Sequence, residues 1–451
     1  MSIGNSKASS ADRASASLAP ESPLLSVEQA RTFLLDVAIR SAVRRAPPET
    51  ANEIVPTLEA NGRVLAIAQV SSLDVPPLDN SQMDGYAVRP ADCIGGSTRL
   101  RLTQRIAAGQ VGTVLASGTA ARIFTGAAIP PGADAVVMQE VCDVDRRADG
   151  DYVTVRHVPL AGEWIRRAGE DIRAGMEILA AGLRLDPPAL GLAASIGLAA
   201  LPVVRRLRVA VFFTGDELAM PGETLKPGAI YNSNRFMLHG LLENLGCLVT
   251  DFGTVPDTLA ATRETLRDAA CEHDLIITCG GVSVGEEDHI KPAVEAEGSL
   301  NMWRIAVKPG KPLAFGTVRR PAVTVAEGSL AASGENDGTA FFFGLPGNPV
   351  SALTTFLLFV RPFMLRLQGV QDVLPKSFPL RADFNWPKAD RRNEFLRVKI
   401  NDTGGLELFG NQGSGVLTSA VWGDGLVDNP AGATIVSGAL VQFIPFSALL
   451  Y

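Results

Sequence analysis

Cysteine and histidine are scarce in this chain of 451 residues, which has five cysteines and four histidines. No two cysteines stand in a CxxC pair, so the sequence indicates neither a disulfide framework nor a zinc ribbon. The histidines nearest in sequence, His273 and His289, do not have the spacing of a ligand pair. A metal site built from soft ligands is therefore not indicated, and any metal is expected to be a hard cation held by oxygen.

An excess of basic residues and a long apolar run are also missing. The 41 basic residues are outnumbered by 48 acidic ones, and the net charge of -7 argues against nonspecific nucleic-acid binding. The apolar run Phe356–Val360 meets Arg361 and Pro362 too soon to span a bilayer, and the Ser- and Ala-rich N-terminus lacks the apolar core of a signal peptide. We therefore expect a disordered tail over 1–24 and a soluble, cytoplasmic protein without nucleic-acid or membrane partners.

Two apolar runs rich in β-branched residues each lead into a loop of glycines and acids. Such runs, separated by helical patterns, predict parallel strands whose ligands bind where the strands end. Val209–Phe213 leads into Thr214-Gly215-Asp216-Glu217, and Leu275–Thr278 leads into Gly280-Gly281-Val282-Ser283-Val284-Gly285, followed by Glu286, Glu287 and Asp288.

These loops combine a phosphate cradle with carboxylates. Glycines let the amides around Gly280, Gly281 and Ser283 approach an anion, and the next helix adds unpaired N–H groups. Glu217 and Asp288 would repel a bound phosphate unless a cation lay between them, and Mg²⁺ prefers such oxygen ligands. Ordinary turns with solvated acids explain either loop alone, but two such loops at one sheet edge favour a binding site.

Two further positions each allow a structural or a functional interpretation. Lys308 and Lys311 flank Pro-Gly at the end of a predicted strand, where they hold an anion or are merely solvated. Asp257 stands at a strand-to-helix corner, where it serves the site or caps the helix predicted over 258–270.

The rest of the chain divides by pattern. Ser26 and Gln29 form a capping-box signature ahead of an amphipathic helix that is predicted to end at Arg45, and Val64–Val70 is predicted as a short helix. Short β-like pieces between Gly- and Pro-rich turns predict a small β domain over 86–158, inserted between helical stretches. Short alternating segments near the C-terminus predict a small β barrel or sheet.

Together these motifs resemble the MoeA and gephyrin E-domain family, the molybdopterin molybdenumtransferases. The resemblance covers about residues 25 to 450 in unbroken order, and only the tail and the segment 318–339 fall outside it. The matching motifs are DNSQMDGYAVR at 79–89, IFTGAAIPPGADAVVMQE at 123–140, RRAGEDI at 166–172, TGDEL at 214–218, GGVSVGEED at 280–288, VKPGKPLAFG at 307–316, GLPGNPVSA at 344–352 and NQGS at 411–414.

The resemblance implies a multidomain α/β plus β fold. Its parts are a MogA-like, three-layer α/β domain with a mixed or parallel sheet, an inserted small β domain, a helical and β linker domain, and a C-terminal β barrel. The expected limits are 25–75 and 160–206 for the elongated domain I, 76–159 for the inserted β domain II, 207–370 for the MogA-like domain III, and 371–451 for the barrel domain IV.

The resemblance also implies a reaction in which adenylylated molybdopterin and molybdate give molybdenum cofactor and AMP, with Mg²⁺ required. Each active site of a homodimer is expected between the α/β domain of one subunit and the first two domains of the other. The expected catalytic residues are Asp84, Glu217, Asp257 and Asp288, with Glu217 and Asp288 as metal ligands. The expected substrate-binding residues are Thr125, Arg166, Asp171, Gly280, Gly281, Ser283, Arg304, Lys308, Lys311, Pro346, Pro349, Arg397 and Ser414.

As a hypothesis, Glu217 and Asp288 hold Mg²⁺ against the substrate phosphates while Asp257 orients water. Lys308, Arg166 and neighbouring amides are expected to hold molybdate or a phosphate. Arg304 departs from the family, because relatives often carry lysine there and the donor geometry differs.

Three other functions fit parts of the sequence. The α/β segment alone resembles the MogA-type adenylyltransferases, which are also candidate partners that supply the adenylylated substrate. A non-catalytic, gephyrin-like scaffold is a second alternative, but the retained acids argue against it. A dehydrogenase is weaker, because the region lacks a GxGxxG turn with a following ribose-binding acid.

Overall fold

A computed structural model describes residues 24–44, 52–281, 289–310, 312–321 and 338–450. The chain forms two compact units, which we name the inserted unit and the main unit. The inserted unit consists of Pro48–Arg205 with Gly369–Gln371, and the main unit of Met1–Pro47, Arg206–Gln368 and Asp372–Tyr451. The predicted tail lies outside the described residues except for Leu24.

The first helix, α1 (Val27–Arg44), confirms the predicted capping box. The backbone N–H of Ser26 donates to Gln29 Oε1 at 2.9 Å, and the N–H of Gln29 donates to Ser26 Oγ at 3.1 Å. Each side chain thus satisfies an N–H group near the start of the helix that has no partner within it. The helix packs in the main unit.

The described part of the inserted unit contains twelve strands and one α-helix, with one-turn 3₁₀ helices at Thr57–Glu59, Pro90–Asp92 and Gln139–Val141. They are β1 (Asn52–Pro56), β2 (Gln69–Val70), β3 (Asn80–Ser81), β4 (Gly85–Val88), β5 (Thr98–Ile106), β6 (Thr119–Ile123), β7 (Ala135–Met138), β8 (Cys142–Arg147), β9 (Gly150–Val155), β10 (Ile165–Arg166), β11 (Glu177–Leu179), α2 (Pro187–Ser195) and β12 (Ala200–Val204).

A six-stranded sheet with the order β7-β4-β6-β5-β9-β8 forms the centre of this unit. Neighbouring residues of β4 and β7 enter different apolar clusters: Tyr86 and Val137 pack on one face, and Ala87 and Val136 on the other. This alternation is what a strand covered on both faces requires. The six-stranded sheet confirms the β character that was predicted for this stretch.

The short helix predicted over Val64–Val70 is wrong. Its last two residues form β2, which pairs with β11, and the N–H of Leu65 donates to the carbonyl of Leu183 at 2.8 Å. The stretch finds its backbone partners more than a hundred residues away, and a seven-residue pattern carries no information about such partners.

The main unit continues with nine strands and four helices over the described part of 206–368. They are β13 (Arg208–Thr214), β14 (Leu218–Ala219), β15 (Ile230–Tyr231), α3 (Ser233–Asn244), β16 (Leu248–Val255), α4 (Leu259–Glu272), β17 (Leu275–Cys279), α5 (Ile290–Glu297), β18 (Gly298–Arg304), β19 (Val307–Lys308), β20 (Pro312–Arg319), β21 (Thr339–Leu345) and α6 (Pro349–Leu367).

Their central sheet has the order β16-β13-β17-β21-β20-β18. The first four strands are parallel, and β20 and β18 are antiparallel to their neighbours. Helices α4 and α5 cover one face around Phe212, while Phe315 and Phe343 on the other face pack against Phe363 of α6. Helices therefore lie on both faces of a mixed sheet, which confirms the predicted three-layer α/β fold.

Helix α6 confirms a prediction of a buried helix over 352–368. It continues through a π-helical turn at Phe356–Val360 and past Arg361 and Pro362. By length and composition alone it could cross a membrane, but 94% of its apolar window is buried inside the structure, as in the core helix of a globular unit. The terminal nitrogens of the buried Arg361 donate to the carbonyls of Val373 and Ala448, both at 3.1 Å.

The C-terminal part is a small barrel. Its elements are β22 (Phe378–Arg381), β23 (Asn393–Ile400), β24 (Leu406–Leu408), α7 (Thr418–Trp422), β25 (Gly425–Asn429), β26 (Leu440–Pro445) and a one-turn 3₁₀ helix, Phe446–Ala448. Strands β22, β26, β25 and β23 form an antiparallel sheet that β19 joins in parallel, and the bridge between Ala382 and Leu406 links the far edge to β24. This confirms the predicted C-terminal β fold.

Candidate active site

A cavity of about 680 Å³ opens in the main unit where the parallel strands β16, β13, β17 and β21 end. Loops after these strands meet the end of β19 and two loops of the barrel. The described residues that line the cavity are Thr214, Gly215, Glu217, Asp257, Gly280, Gly281, Lys308, Pro309, Gly310, Pro346, Gly347, Asn348, Ser351, Arg392, Gln412, Gly413 and Ser414.

Part of the lining consists of glycine backbone that admits no side chain. Gly280 has φ +99°, and a Cβ atom there would lie 3.0 Å from the carbonyl oxygen of Thr214. Gly215 has φ +136°, and a Cβ atom there would lie 2.7 Å from Glu217 Oε2. Glycine is therefore needed at both positions, and at Gly215 its absence of a side chain leaves room for a carboxylate.

Hydrogen bonds join two of the strand-end loops. The thiol of Cys279 donates to the carbonyl of Pro346 at 3.0 Å, and Asn234 Nδ2 donates to the carbonyl of Gly347 at 2.7 Å. Burial raises the pKa of Cys279 to about 12, so the thiol keeps its proton and remains a donor. These bonds fix the loop after β21 against the end of β17.

We name Glu217 and Asp257 the acidic wall of the cavity. Among the residues that the structure describes, neither carboxylate has a hydrogen bond or an ion pair. The alternative that Asp257 caps the following helix is wrong, because the cap of α4 is Thr258, whose Oγ1 accepts the N–H of Ala261 at 3.3 Å. The acidic wall thus offers oxygen ligands that no described group occupies.

We name Lys308 and Arg392 the basic wall. Lys308 Nζ lies 2.8 Å from Glu394 Oε1 and 3.3 Å from Asp390 Oδ2. Arg392 binds Asp390 with two donors, Nε at 3.0 Å from Oδ1 and one terminal nitrogen at 2.8 Å from Oδ2. Both cations line the cavity, whereas Asp390 and Glu394 do not. Asp390 lines a small neighbouring cavity that Lys308 also lines.

The basic wall is charged at neutral pH. Burial acts to lower the pKa of Lys308, but hydrogen bonds and charge from Glu394 and Asp390 outweigh burial and raise that pKa. The hydrogen bonds from Arg392 hold the pKa of Asp390 well below its usual range.

Arg397 lies behind the barrel loop 411–414 rather than on the cavity. Its guanidinium is 1% exposed and donates to Ser419 Oγ at 3.0 Å and to the carbonyl of Gly413 at 3.2 Å. The carbonyl of Ser414 accepts the N–H of Val350 at 2.9 Å in the first turn of α6. Burial lowers the pKa of Arg397 to about 10, which leaves it protonated at neutral pH. Arg397 therefore supports the loop that carries Ser414.

The structure brings most of the predicted main-unit residues to one cavity. Those that line it are Glu217, Asp257, Gly280, Gly281, Lys308, Pro346 and Ser414. Three predicted contacts do not line it: Arg304 is exposed at the end of β18, Pro349 is the first residue of α6, and Arg397 is buried. Ser283, Asp288 and Lys311 lie outside the described residues.

The predicted site residues did not include Arg392 or Gln412, although Gln412 lies in the motif NQGS. Gln412 accepts the N–H of Arg397 at 2.9 Å and donates to its carbonyl at 3.0 Å, so it fixes the barrel loop. The pair Arg391-Arg392 directly before an apolar strand was the available signal for Arg392.

The predicted residues of the inserted unit fall into separate groups. Asp84 Oδ1 accepts both the N–H and the hydroxyl of Thr125 at 2.8 Å. The hydrogen bond from the backbone N–H of Thr125 contributes most to lowering the pKa of Asp84, and the bond from the hydroxyl lowers it further. Arg166 pairs with Asn80 in the β10–β3 register, and Asp171 is exposed, with its N–H donating to the carbonyl of Val75 at 3.0 Å.

Family models match three consecutive parts of the chain. Residues 25–197 match the MoeA N-terminal region (domains I and II), residues 210–366 match the probable molybdopterin binding domain, and residues 379–446 match the MoeA C-terminal region (domain IV).

Relatives that match most of the chain point to the same family as these models. A molybdopterin molybdenumtransferase of Haemophilus influenzae is 39% identical over 433 residues, covering 95% of this chain and 100% of the relative. Molybdopterin molybdenumtransferase 2 of Mycobacterium tuberculosis is 37% identical, covering 83% of this chain and 90% of the relative. The crystal structure of a molybdopterin biosynthesis MoeA protein from Pyrococcus horikoshii matches with a TM-score of 0.76 at 27% identity, covering 94% of this chain and 100% of that one. The chain therefore belongs to the MoeA family of molybdopterin molybdenumtransferases.

Proposed function

We propose that the chain inserts molybdate into adenylylated molybdopterin, hydrolyses the adenylate, and releases molybdenum cofactor and AMP. The observation that supports this most directly is the cavity that holds an acidic wall and a basic wall against glycine backbone. The acidic wall suits a hard cation, and the basic wall suits an oxyanion or a phosphate. A reaction between a phosphoanhydride and molybdate needs both in one place.

The acidic wall fits Mg²⁺ by the chemistry of its donors. Glu217 and Asp257 present carboxylate oxygens that have no partner among the described residues, although no group of three His, Cys, Asp or Glu side chains is brought together in that part of the chain. We propose that Glu217 and Asp288 hold the ion, and Asp288 lies outside the described residues. A bound Mg²⁺ would offset the negative charge of the substrate phosphates. Asp257 is then free to orient the attacking water.

The basic wall holds the anionic substrate in this proposal. Lys308 and Arg392 donate to the oxygens of molybdate or of a phosphate, and Ser414 adds a hydroxyl from the barrel loop. The amides of Gly280 and Gly281 approach the phosphates where no side chain intervenes. Because Asp390 and Glu394 hold both cations before substrate arrives, little reorganisation is needed on binding.

We also propose that the protein is a homodimer in which Asp84, Thr125, Arg166 and Asp171 complete the active site of the second subunit. Mixing Asp84→Asn and Glu217→Gln proteins, each inactive as a homodimer, tests this idea. A shared site predicts that mixed dimers regain activity, because one of their two sites contains neither substitution. Activity that stays absent after exchange of subunits would count against a shared site.

The reaction itself is tested by AMP release. Purified protein is supplied with adenylylated molybdopterin, with and without molybdate and Mg²⁺, and AMP is quantified by chromatography. We expect release that depends on both additions. Consumption of ATP with free molybdopterin would instead favour an adenylyltransferase. Stable binding of a partner protein in the absence of both activities would favour a scaffold.

The same experiment can include the protein that makes the substrate. We propose that the chain acts in the cytoplasm, downstream of a MogA-type adenylyltransferase. Adding a MogA-type enzyme with ATP and molybdopterin is expected to support AMP release when adenylylated molybdopterin is omitted.

A further inference from the structure

Glu394 is a buried carboxylate of the main unit that the proposed reaction does not use directly. It is 1% exposed, yet three donors converge on it. Lys308 Nζ lies 2.8 Å from Oε1, while Trp386 Nε1 and Asn429 Nδ2 donate to Oε2 at 2.7 Å and 3.2 Å. A buried carboxylate is costly unless its lone pairs are matched, and here donors reach both oxygens.

The fold sets this contact by strand register. The two-residue strand β19 lies parallel to β23, and Lys308 stands opposite Glu394. Lys308 is also the last residue before Pro309 and Gly310, which line the cavity. The pairing of β19 with the barrel therefore places a lysine of the cavity lining against a buried carboxylate.

The surroundings of the Lys308 ammonium are asymmetric. On the barrel side it meets Glu394, Asp390 at 3.3 Å, and the Trp386 ring, whose centroid is 5.8 Å away. The other charged groups nearby are Arg392, which shares Asp390, and Lys388, which lines a small cavity together with Lys308. The acidic wall faces the same main cavity. The groups that contact the Lys308 ammonium thus all belong to the barrel.

We infer that Glu394 is a positioning residue, which holds the Lys308 ammonium at the cavity wall in the place where an oxyanion binds. This inference rests on the proposed function. A lysine side chain has four rotatable bonds and loses much of its freedom when it binds an anion. Holding the ammonium in advance removes part of that loss, so the contribution of Glu394 is expected in anion binding rather than in the chemical step.

The direct test compares Glu394→Gln with the unchanged protein. The amide keeps the size of the side chain but removes its charge. Its NH₂ group cannot accept hydrogen bonds from the donors that now reach the carboxylate. We expect molybdate to bind about tenfold more weakly in titration calorimetry, with KM for molybdate raised and kcat changed less. Glu407→Gln, an exposed change on β24 of the same barrel, is the matched control and is expected to bind molybdate normally.

The pH dependence separates positioning from a merely structural role. Glu394 is one of two carboxylates that raise the pKa of Lys308, so in Glu394→Gln the upper pH limit of molybdate binding should move down. Adding Lys308→Arg should remove this shift, since a guanidinium keeps its proton up to about pH 12. A structural defect would weaken binding equally at all pH values and would overturn the inference.

Two further outcomes are decisive. If Glu394→Gln does not fold, Glu394→Asp is used: it keeps the charge but withdraws the carboxylate, and we expect weaker molybdate binding with an unshifted upper pH limit. Wild-type affinity in a folded Glu394 variant overturns the inference and leaves the proposed function intact. If the unchanged protein neither binds molybdate nor releases AMP, the proposed function fails, and this inference fails with it.

Discussion

The acidic wall and the basic wall face one cavity, but the protein supports them in opposite ways. Glu217 and Asp257 have no hydrogen-bond partner among the described residues, whereas Lys308 and Arg392 are each bound by at least one carboxylate. The carboxylates are thus available to a ligand, and the cations are already fixed by the protein. A site of this kind can place an anion by geometry alone, while its acidic side needs a cation before it holds a phosphate.

The difference follows from where each wall is built. The acidic wall stands on loops that leave the central sheet, and the Glu217 carboxylate lies where a Cβ atom on Gly215 would come within 2.7 Å of it. The basic wall stands where β19 pairs with the barrel, so backbone pairing and buried side chains both support it. Changes in the acidic wall should therefore affect activity with little effect on stability, whereas changes behind the basic wall should affect both.

The largest effect is expected for Glu217→Gln. Loss of the charge should lower AMP release by about a hundredfold or more, because an ion that offsets phosphate charge loses a ligand. The unfolding temperature should stay unchanged, since the carboxylate makes no hydrogen bond or ion pair with the described residues. The neighbouring Asp216→Asn is the control: Asp216 is exposed and does not line the cavity. Equal losses in both variants would contradict the assignment.

Arg397→Ala should act mainly on stability. It leaves the carbonyl of Gly413 and the hydroxyl of Ser419 without their donor and opens a cavity behind loop 411–414. We expect a loss of about 2–4 kcal/mol in the free energy of unfolding, measured with denaturant, together with weaker molybdate binding. Lys376→Ala, an exposed change just before β22, should alter neither quantity appreciably. Normal stability of Arg397→Ala would contradict the supporting role of this arginine.

The order of strands and helices in the main unit could largely be predicted from the sequence, because local signals identify each element. The cap at Ser26 and Gln29 and the apolar runs that became β13 and β17 are set by neighbouring residues. Long-range pairing could not be predicted this way. Val64–Val70 failed as a helix because its partners lie far along the chain.

In the candidate site, too, local sequence signals predict some residues, and long-range pairing places others. Glu217 and Asp257 follow predicted strands, so the ends of parallel strands place them together. Arg392 comes from the barrel, and only the pairing of β19 with β23 brings that segment beside Lys308. The supporting position of Arg397 depends on its burial, and the sequence around it contains no sign that this arginine lies inside.

Gly280→Ala tests the glycine backbone that lines the cavity together with the acidic and basic walls. Alanine at φ +99° is strained, and its Cβ would meet the Thr214 carbonyl at 3.0 Å. We expect a loss of about 1–3 kcal/mol in the free energy of unfolding and a larger KM for the adenylylated substrate. Gly240→Ala in α3 is the control, because a Cβ atom there would meet no heavy atom within 4 Å, and it should stabilise by about 0.4–1 kcal/mol.

The smallest expected effect on stability comes from two adjacent residues, one with a structural role and one with a functional role. Thr258 caps α4, so Thr258→Ala should cost about 1 kcal/mol of stability. Its neighbour Asp257 caps nothing, so Asp257→Asn should leave the denaturation midpoint unchanged while AMP release falls. If Asp257→Asn instead destabilised the protein as much as Thr258→Ala, the carboxylate would have a structural role. The acidic wall would then be supported like the basic wall, and the contrast between them would be lost.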